Sequence, residues 1–386
     1  MVAYLVLALL VGLNAWMSVR IRRAPDEHIA HKGLLIATIW LMPFLGALTA
    51  RNHLRVHVPG EAFKGVARQW DARAVTEPAP VSVDIDSRVL SMDGALDVRD
   101  GLPFLDGAAV ERWLGALEQP LARRKGLAAV RRAWLLHLRD ALGSYRLHEF
   151  DGASILSAMQ SSVVAQTAAT AASARDRVRR VLGGLARPTP DEYILIVFER
   201  ASDCDRYLDA SHQRPRAPAA NRAAYVPAAL PHFVAARQDL VLLQPALVLE
   251  RARASLSHLA APRWLLEGIA DSVAFGLNGT HRHTIATVTH QDFWDEGLIQ
   301  AFWSGAMFDR DDDGRALAED LARLVVETLR GRQGRDFEQF VVQAAPDDAG
   351  ALAARDILGI DLGSYVCAVL GLEPSVAWSP TASTVV

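Results

Sequence analysis

The chain has 386 residues, 41 lysines and arginines against 44 aspartates and glutamates, and a formal net charge of −3. Its basic residues are scattered, which argues against a nucleic-acid platform. A 51% hydrophobic content with 22% charged residues is that of a folded chain with room for one large domain or two smaller ones.

Residues 2–19 and 33–50 are uncharged, mostly apolar runs. At 1.5 Å per residue each spans about 27 Å, enough for a thin bilayer. No basic residue precedes the first run, so it reads as a membrane helix rather than a signal peptide. The expectation for residues 1–52 is a two-helix transmembrane hairpin in a bacterial inner membrane. Arg20, Arg22, Arg23 and Lys32 lie between the runs, and Arg51, Arg55, Lys64 and Arg68 follow them. The three arginines directly behind the first run favour a cytoplasmic loop, hence a periplasmic soluble part.

Residues 53–105 read as a linker with short strands, because Pro59, Pro78 and Pro80 flank the alternating Val81-Ser82-Val83-Asp84-Ile85. Residues 106–143 read as a helical hairpin. Val110, Trp113, Leu114 and Leu117 have the spacing of one buried helical face, and Leu127, Val130, Trp134, Leu135 and Leu138 continue it after Pro120. Arg123, Arg124, Lys125, Arg131 and Arg132 on the second helix read either as a solvated face or as a contact for anionic lipid.

Residues 144–372 form the main expected domain. A strand at 147–156 and a long helix at 161–185 open it. A strand at 192–198, a short helix at 203–210 and a strand at 231–236 follow. Residues 214–231, with Pro215, Pro218 and Pro227, read as a loop. Helices are expected at 245–258, 297–308, 316–330, 336–344, 349–358 and 362–370, and residues 373–386 read as a disordered tail. Cys204 and Cys367 fall on helices and read as buried free thiols.

The most informative stretch is Pro262-Arg263-Trp264-Leu265-Leu266-Glu267-Gly268-Ile269-Ala270-Asp271. It resembles the second active-site helix of gluzincin-type zinc peptidases, which opens P-x-W-x-x-E-G-x-A. The element order from Tyr145 to Gly371 is similar to that of the peptidase MA-like family, a gluzincin-related group. The resemblance implies an α+β, zincin-like domain with a small mixed sheet and a mainly helical C-terminal part, set behind the membrane hairpin. It implies that Glu267 stands at the third zinc-ligand position and Asp271 at the acidic position that follows it.

The first half of that family's site is absent. Its members carry His-Glu-x-x-His on the preceding helix, two imidazoles on one face sharing an ion, with the glutamate polarising the bound water. No such motif occurs in this chain. In one register Leu249 stands at the first histidine, Glu250 keeps the general-base position and Arg253 replaces the second histidine. In the other, Gln244, Pro245 and Val248 stand there. His258 lies about 12 Å beyond Glu250 by helix rise, too far for both to hold one ion. The vestigial set is therefore Glu250, Arg253, Glu267 and Asp271, with Arg253 and Arg263 expected to pair with the acids in place of a metal.

Two other groups carry metal chemistry on paper. His281, His283 and His290 form the only histidine cluster after Glu267, in a setting of turn residues. Asp309-Arg310-Asp311-Asp312-Asp313-Gly314 matches the opening of a calcium loop, with Asp320 at the twelfth position and Leu317 at the ninth. The competing reading is an acidic cap on the next helix.

The expected function is a membrane-anchored, catalytically inactive peptidase-like protein that binds or scaffolds a peptide or envelope protein. No cofactor is expected, with calcium at Asp309, Asp311, Asp313 and Asp320 the remaining candidate. The alternatives are an active zinc peptidase using Glu267 with His258 or with His281 and His283, and a purely structural membrane protein.

Overall fold

The computed structural model describes residues 73–187, 193–211, 223–238, 240–278 and 285–381. A six-stranded mixed sheet is its organising element. β1 (Arg73–Ala74) is followed by two hairpins, β2 (Ser82–Ile85) with β3 (Arg88–Ser91) and β4 (Leu96–Arg99) with β5 (Leu102–Leu105). Next come α1 (Gly107–Gly115), α2 (Pro120–Leu142), β6 (Arg146–Phe150), β7 (Ala153–Ser157), α3 (Ser161–Leu182), β8 (Tyr193–Phe198), α4 (Ala201–Ala210), β9 (Ala223–Val226) and β10 (His232–Ala236). The large sheet has the order β1-β6-β7-β8-β10-β9. Its β7–β8 and β8–β10 pairs are parallel, and the pairs toward both edges are antiparallel.

Strand periodicity sorts the core into two layers. Leu147, Leu156, Ile194, Ile196, Phe198 and Val234 face one way, against Trp134, Leu135 and Leu138 of α2 and Tyr207 of α4. Ile155, Leu195, Val197, Phe233 and Ala235 face the other, against Val164 and Ala168 of α3 and Leu243 and Leu247 of the helix that follows β10. Every residue of β8 is buried, as its unbroken apolar run requires of a strand covered on both faces.

The C-terminal half is helical. It comprises α5 (Leu240–Leu256), α6 (Arg263–Asn278), α7 (Thr287–Phe293), α8 (Glu296–Trp303), α9 (Asp313–Gln343), α10 (Ala351–Ala353) and α11 (Leu362–Leu370). Trp264 is fully buried at its centre, donating from Nε1 to Ala349 O (3.0 Å) and meeting Trp303 edge-on at 5.4 Å between centroids.

Several expectations need correction. The fold class, a membrane hairpin leading into a zincin-like domain, gives way to an α+β fold built on the mixed sheet. Among the described residues no helix is long and apolar enough to cross a membrane. The long helices α2 and α9 carry charges at nearly every turn. The two apolar runs at 2–19 and 33–50 lie outside the described residues. The strand expected at 147–156 is the hairpin β6–β7, turning at Gly152 with φ of 73°. The helices expected at 316–330 and 336–344 are present as the two arms of α9, separated by the non-helical backbone of Gly334 (φ 51°, ψ −113°). Part of the expected 214–231 loop is the edge strand β9. The basic cluster on α2 includes Arg132, which pairs with Glu77 (2.7 Å) and Glu149 (3.0 Å) rather than standing ready for lipid. Residues 373–381 of the expected tail pack against α8 and α11.

Candidate functional site

Helices α5 and α6 are joined by six residues and pack antiparallel, which brings Glu250 and Arg253 opposite Glu267. On α5, Glu250 and Arg253 are three apart and share a face. Arg253 Nη1 donates to Glu250 Oε1 at 2.5 Å. Across the helix pair, Arg253 Nε and Nη2 both reach Glu267 Oε2, at 2.8 and 2.7 Å. The third wall is α9, whose Glu319 stands 3.8 Å from Arg253 Nη2 and accepts from Arg315 Nε at 3.1 Å. The other oxygen of Glu250 accepts the backbone N–H of Tyr225 on the edge strand β9 (2.9 Å).

These groups are buried: Glu250 is 0% exposed and Glu267 8%. Burial by itself would lower the Arg253 pKa, but Glu267, Glu250 and Glu319 outweigh it and hold the guanidinium more firmly charged than in water. The arrangement is thus an arginine fork among carboxylates, the ion-paired alternative drawn from the sequence. Leu249, which stands at the first histidine position in the register that keeps Glu250, packs in the apolar core beside Val248 and Ala252.

Asp271 lies one turn past Glu267 and belongs to a second polar cluster on α9. Arg323 Nε is 3.8 Å from Asp271 Oδ2, Arg323 Nη1 is 3.0 Å from Glu327 Oε2, and Arg323 Nη2 bonds Asp320 Oδ1. Asp320 Oδ2 takes His290 Nε2 at 3.1 Å, while Trp294 Nε1 donates to His290 Nδ1 at 3.1 Å. The indole can only donate, so the imidazole proton sits on Nε2 and points at Asp320.

The remaining candidates fall elsewhere. Arg263 does not join the vestigial acids; it pairs with Asp309 at 2.7 Å. Asp312 is the N-cap of α9, accepting from Gly314 N at 3.0 Å and paired with Arg310. Asp309 ends a short 3₁₀ turn, Asp313 opens α9, and Asp320 lies two turns inside it, bound to Arg323 and His290. The acidic stretch is therefore cap chemistry followed by helix, rather than a loop wrapped around one point. His258 lies exposed beyond the end of α5. His281 and His283 lie outside the described residues. Among the described residues, no group of three or more His, Cys, Asp or Glu could hold a metal ion. A surface cavity of about 50 Å³ at the α9 kink is lined by Leu182, Ile269, Ser272, Val326 and Phe337, none of them a member of the Arg253 cluster.

Sequence reasoning missed Glu319, Arg315 and Arg323. Their only local signature is charge pairing at i,i+3 and i,i+4 along one helix, which ordinarily marks a solvated face. What puts Glu319 and Arg323 inside is the close packing of α9 on α6.

Neither a scan of protein-family models, nor a search of curated proteins, nor a search of solved structures finds a match to this chain.

Proposed function

We propose that this chain is a catalytically silent relative of the peptidase MA-like proteins, acting by binding or scaffolding a peptide or envelope protein. The observation that carries the reading is Arg253. In the register that keeps Glu250, it stands where the resemblance calls for the second zinc-binding histidine, and its guanidinium bridges Glu250 and Glu267. An arginine is charged at every physiological pH and has no lone pair for a metal. A dication beside it would meet repulsion instead of a ligand.

The same contacts weigh against a general-base role for Glu250. A glutamate activates water through an oxygen that faces it. Here one Glu250 oxygen is bound to a cation and the other to the Tyr225 amide. Zinc held by His258 or by His281 and His283 with Glu267 has less support, because Glu267 is already committed to Arg253 and His258 is exposed beyond the helix end.

The test is metal content and peptidase activity of the purified protein, beside the Leu249→His, Arg253→His double variant. The expected result is no stoichiometric zinc and no chelator-sensitive cleavage in the parent chain, with zinc uptake by the double variant. Chelator-sensitive cleavage by the parent chain that is abolished in Glu267→Ala would overturn the proposal.

A further inference from the structure

The last described residues are held in a cleft between α8 and α11, and the chemistry of the contact is that of a bound peptide. α11 ends at Gly371 (φ 68°), where Leu372 N returns to Cys367 O at 2.8 Å. Glu373 and Pro374 are exposed, and the segment from Ser375 then enters the cleft through one 3₁₀ turn, Val376–Trp378. Gln300 of α8 holds it by main-chain atoms. Its Nε2 donates to Ala377 O (3.0 Å) and Ser379 O (2.9 Å), while its Oε1 accepts from Thr381 N (3.1 Å) and Thr381 Oγ1 (3.0 Å). Trp303 Nε1 donates to Trp378 O at 2.8 Å. Ser379 Oγ donates to the Asp361 carboxylate at 3.1 Å.

The backbone of the segment approaches α11 so closely that only glycine fits at position 363. A Cβ there would lie 2.3 Å from Ser379 N. Side chains of the segment contribute unevenly. Trp378 is 8% exposed, whereas Val376 is 91% exposed. One anchor in a pocket, with a carboxamide reading amides and carbonyls on either side, is how a protein recognises a short peptide through its main chain.

We infer that this cleft is a peptide-binding site, defined by Gln300, Trp303, Asp361 and Gly363, whose resident ligand is the chain's own segment 375–381. It takes peptides with a tryptophan followed by serine, read mainly through the backbone. The segment is tethered to α11 by the short Leu372–Pro374 connection, so its hold owes much to the high local concentration that tethering provides. A peptide of the same pattern takes its place in trans when the resident segment loses its anchor.

The experiment uses the full chain and a fluorescein-labelled peptide with the sequence of residues 374–381, followed by anisotropy. Trp378→Ala in the full chain removes the resident anchor and leaves the cleft intact. The labelled peptide is expected to bind this variant saturably and about a hundredfold more tightly than the parent chain, where the tethered copy competes. Adding Gln300→Ala lowers that affinity at least about tenfold, the loss expected for two or more hydrogen bonds. Gly363→Ala, which favours the helix but fills the cleft, is expected to expose residues 373–381 to limited proteolysis and to bind no peptide. If Trp378→Ala unfolds, a protease-cleavable insertion between Glu373 and Pro374 releases the segment from the otherwise unaltered chain. Failure of the labelled peptide to bind a folded, segment-released protein would overturn the inference, as would equal binding of a peptide with alanine at the tryptophan.

Discussion

Arg253 Nη2 on α5 lies 2.7 Å from Glu267 Oε2 on α6, and this bond crosses the helix pair at the position where the resemblance expects a metal. A zinc ion and an arginine solve the same problem, that of keeping buried carboxylates charged between packed helices. They solve it with opposite consequences for chemistry. The ion exposes an open coordination position to substrate, whereas the fork spends its donors on the protein itself.

Replacing Arg253 with methionine keeps most of the side-chain volume and removes the cation. Breaking a buried ion pair from one side costs about 3–5 kcal/mol, because the desolvated acids lose their counter-charge. Urea unfolding should show a lower midpoint at unchanged m-value, corresponding to a stability loss of that size, and adding Glu267→Met should recover much of it. An unchanged midpoint in the single variant would mean that the cluster holds nothing together.

Gly268 supplies a second test, this time of packing. A Cβ at this position would lie 2.5 Å from Ala322 O and 2.8 Å from Val326 Cγ2, so the backbones of α6 and α9 meet directly at this point. The obstacle is main chain, which cannot rotate away. Gly268→Ala should therefore destabilise despite the better helix propensity of alanine, by about 1–3 kcal/mol or more. Since the shift separates α6 from α9, it should also weaken the Arg253–Glu319 contact, and Glu319→Gln should then cost less in this background than in the parent.

Legibility in the sequence followed the range of the forces involved. Local patterns announced β8, α1, α2 and α3, because an apolar run or a 3.6-residue stripe is written in consecutive residues. The edge strand β9 was hidden. It is four residues long, half alanine, and set in a Pro- and Arg-rich segment, so its strand character comes from pairing with β10 rather than from propensity. The helices read at 316–330 and 336–344 are the two arms of α9 on either side of its break at Gly334. Residues 373–381 carry the composition of a tail, and nothing local reveals that Gln300, more than seventy positions upstream, binds their backbone. At the site, the motif around Glu267 and the spacing of Glu250 and Arg253 were readable. The inward face of α9 was not, since the same Arg–Glu spacings suit a solvated helix.

His232 makes stability depend on pH in the mildly acidic range. Its Nδ1 lies 2.7 Å from Leu230 O and its Nε2 2.8 Å from Tyr207 Oη, in the packed layer beneath Trp134. Burial lowers its pKa to about 4, with the Leu230 carbonyl opposing the shift. The folded protein therefore keeps the ring neutral over a range where the unfolded chain, titrating near 6.5, binds a proton. Stability is unaffected above that value and falls as pH drops toward 4, by at most about 3 kcal/mol from this group. Denaturation midpoints between pH 7 and pH 4.5 should slope accordingly, and His232→Gln should flatten the slope. An identical slope in the variant would assign the pH dependence to other groups.

Asp320 acts at lower pH and with the opposite kind of group. Burial would raise its pKa, but the hydrogen bonds from His290 and Arg323 and the Arg323 charge hold it below the ordinary carboxylate value. A depressed carboxylate contributes stability that is fully present above its unfolded pKa, near 4, and lost as pH falls through the folded value. The contribution also has a visible reporter, because His290 is bonded to both Asp320 and Trp294. Asp320→Asn preserves shape but weakens a charge-assisted bond to a guanidinium, a loss of about 1.5–3 kcal/mol at neutral pH. It should reduce the further loss on acidification, since there is less left to titrate. Trp294 emission should shift as the imidazole reorients. A variant with parent-like stability at pH 7 and an unchanged acid transition would show that α7 is held to α9 by its apolar contacts, with the Asp320–His290–Trp294 chain contributing nothing measurable.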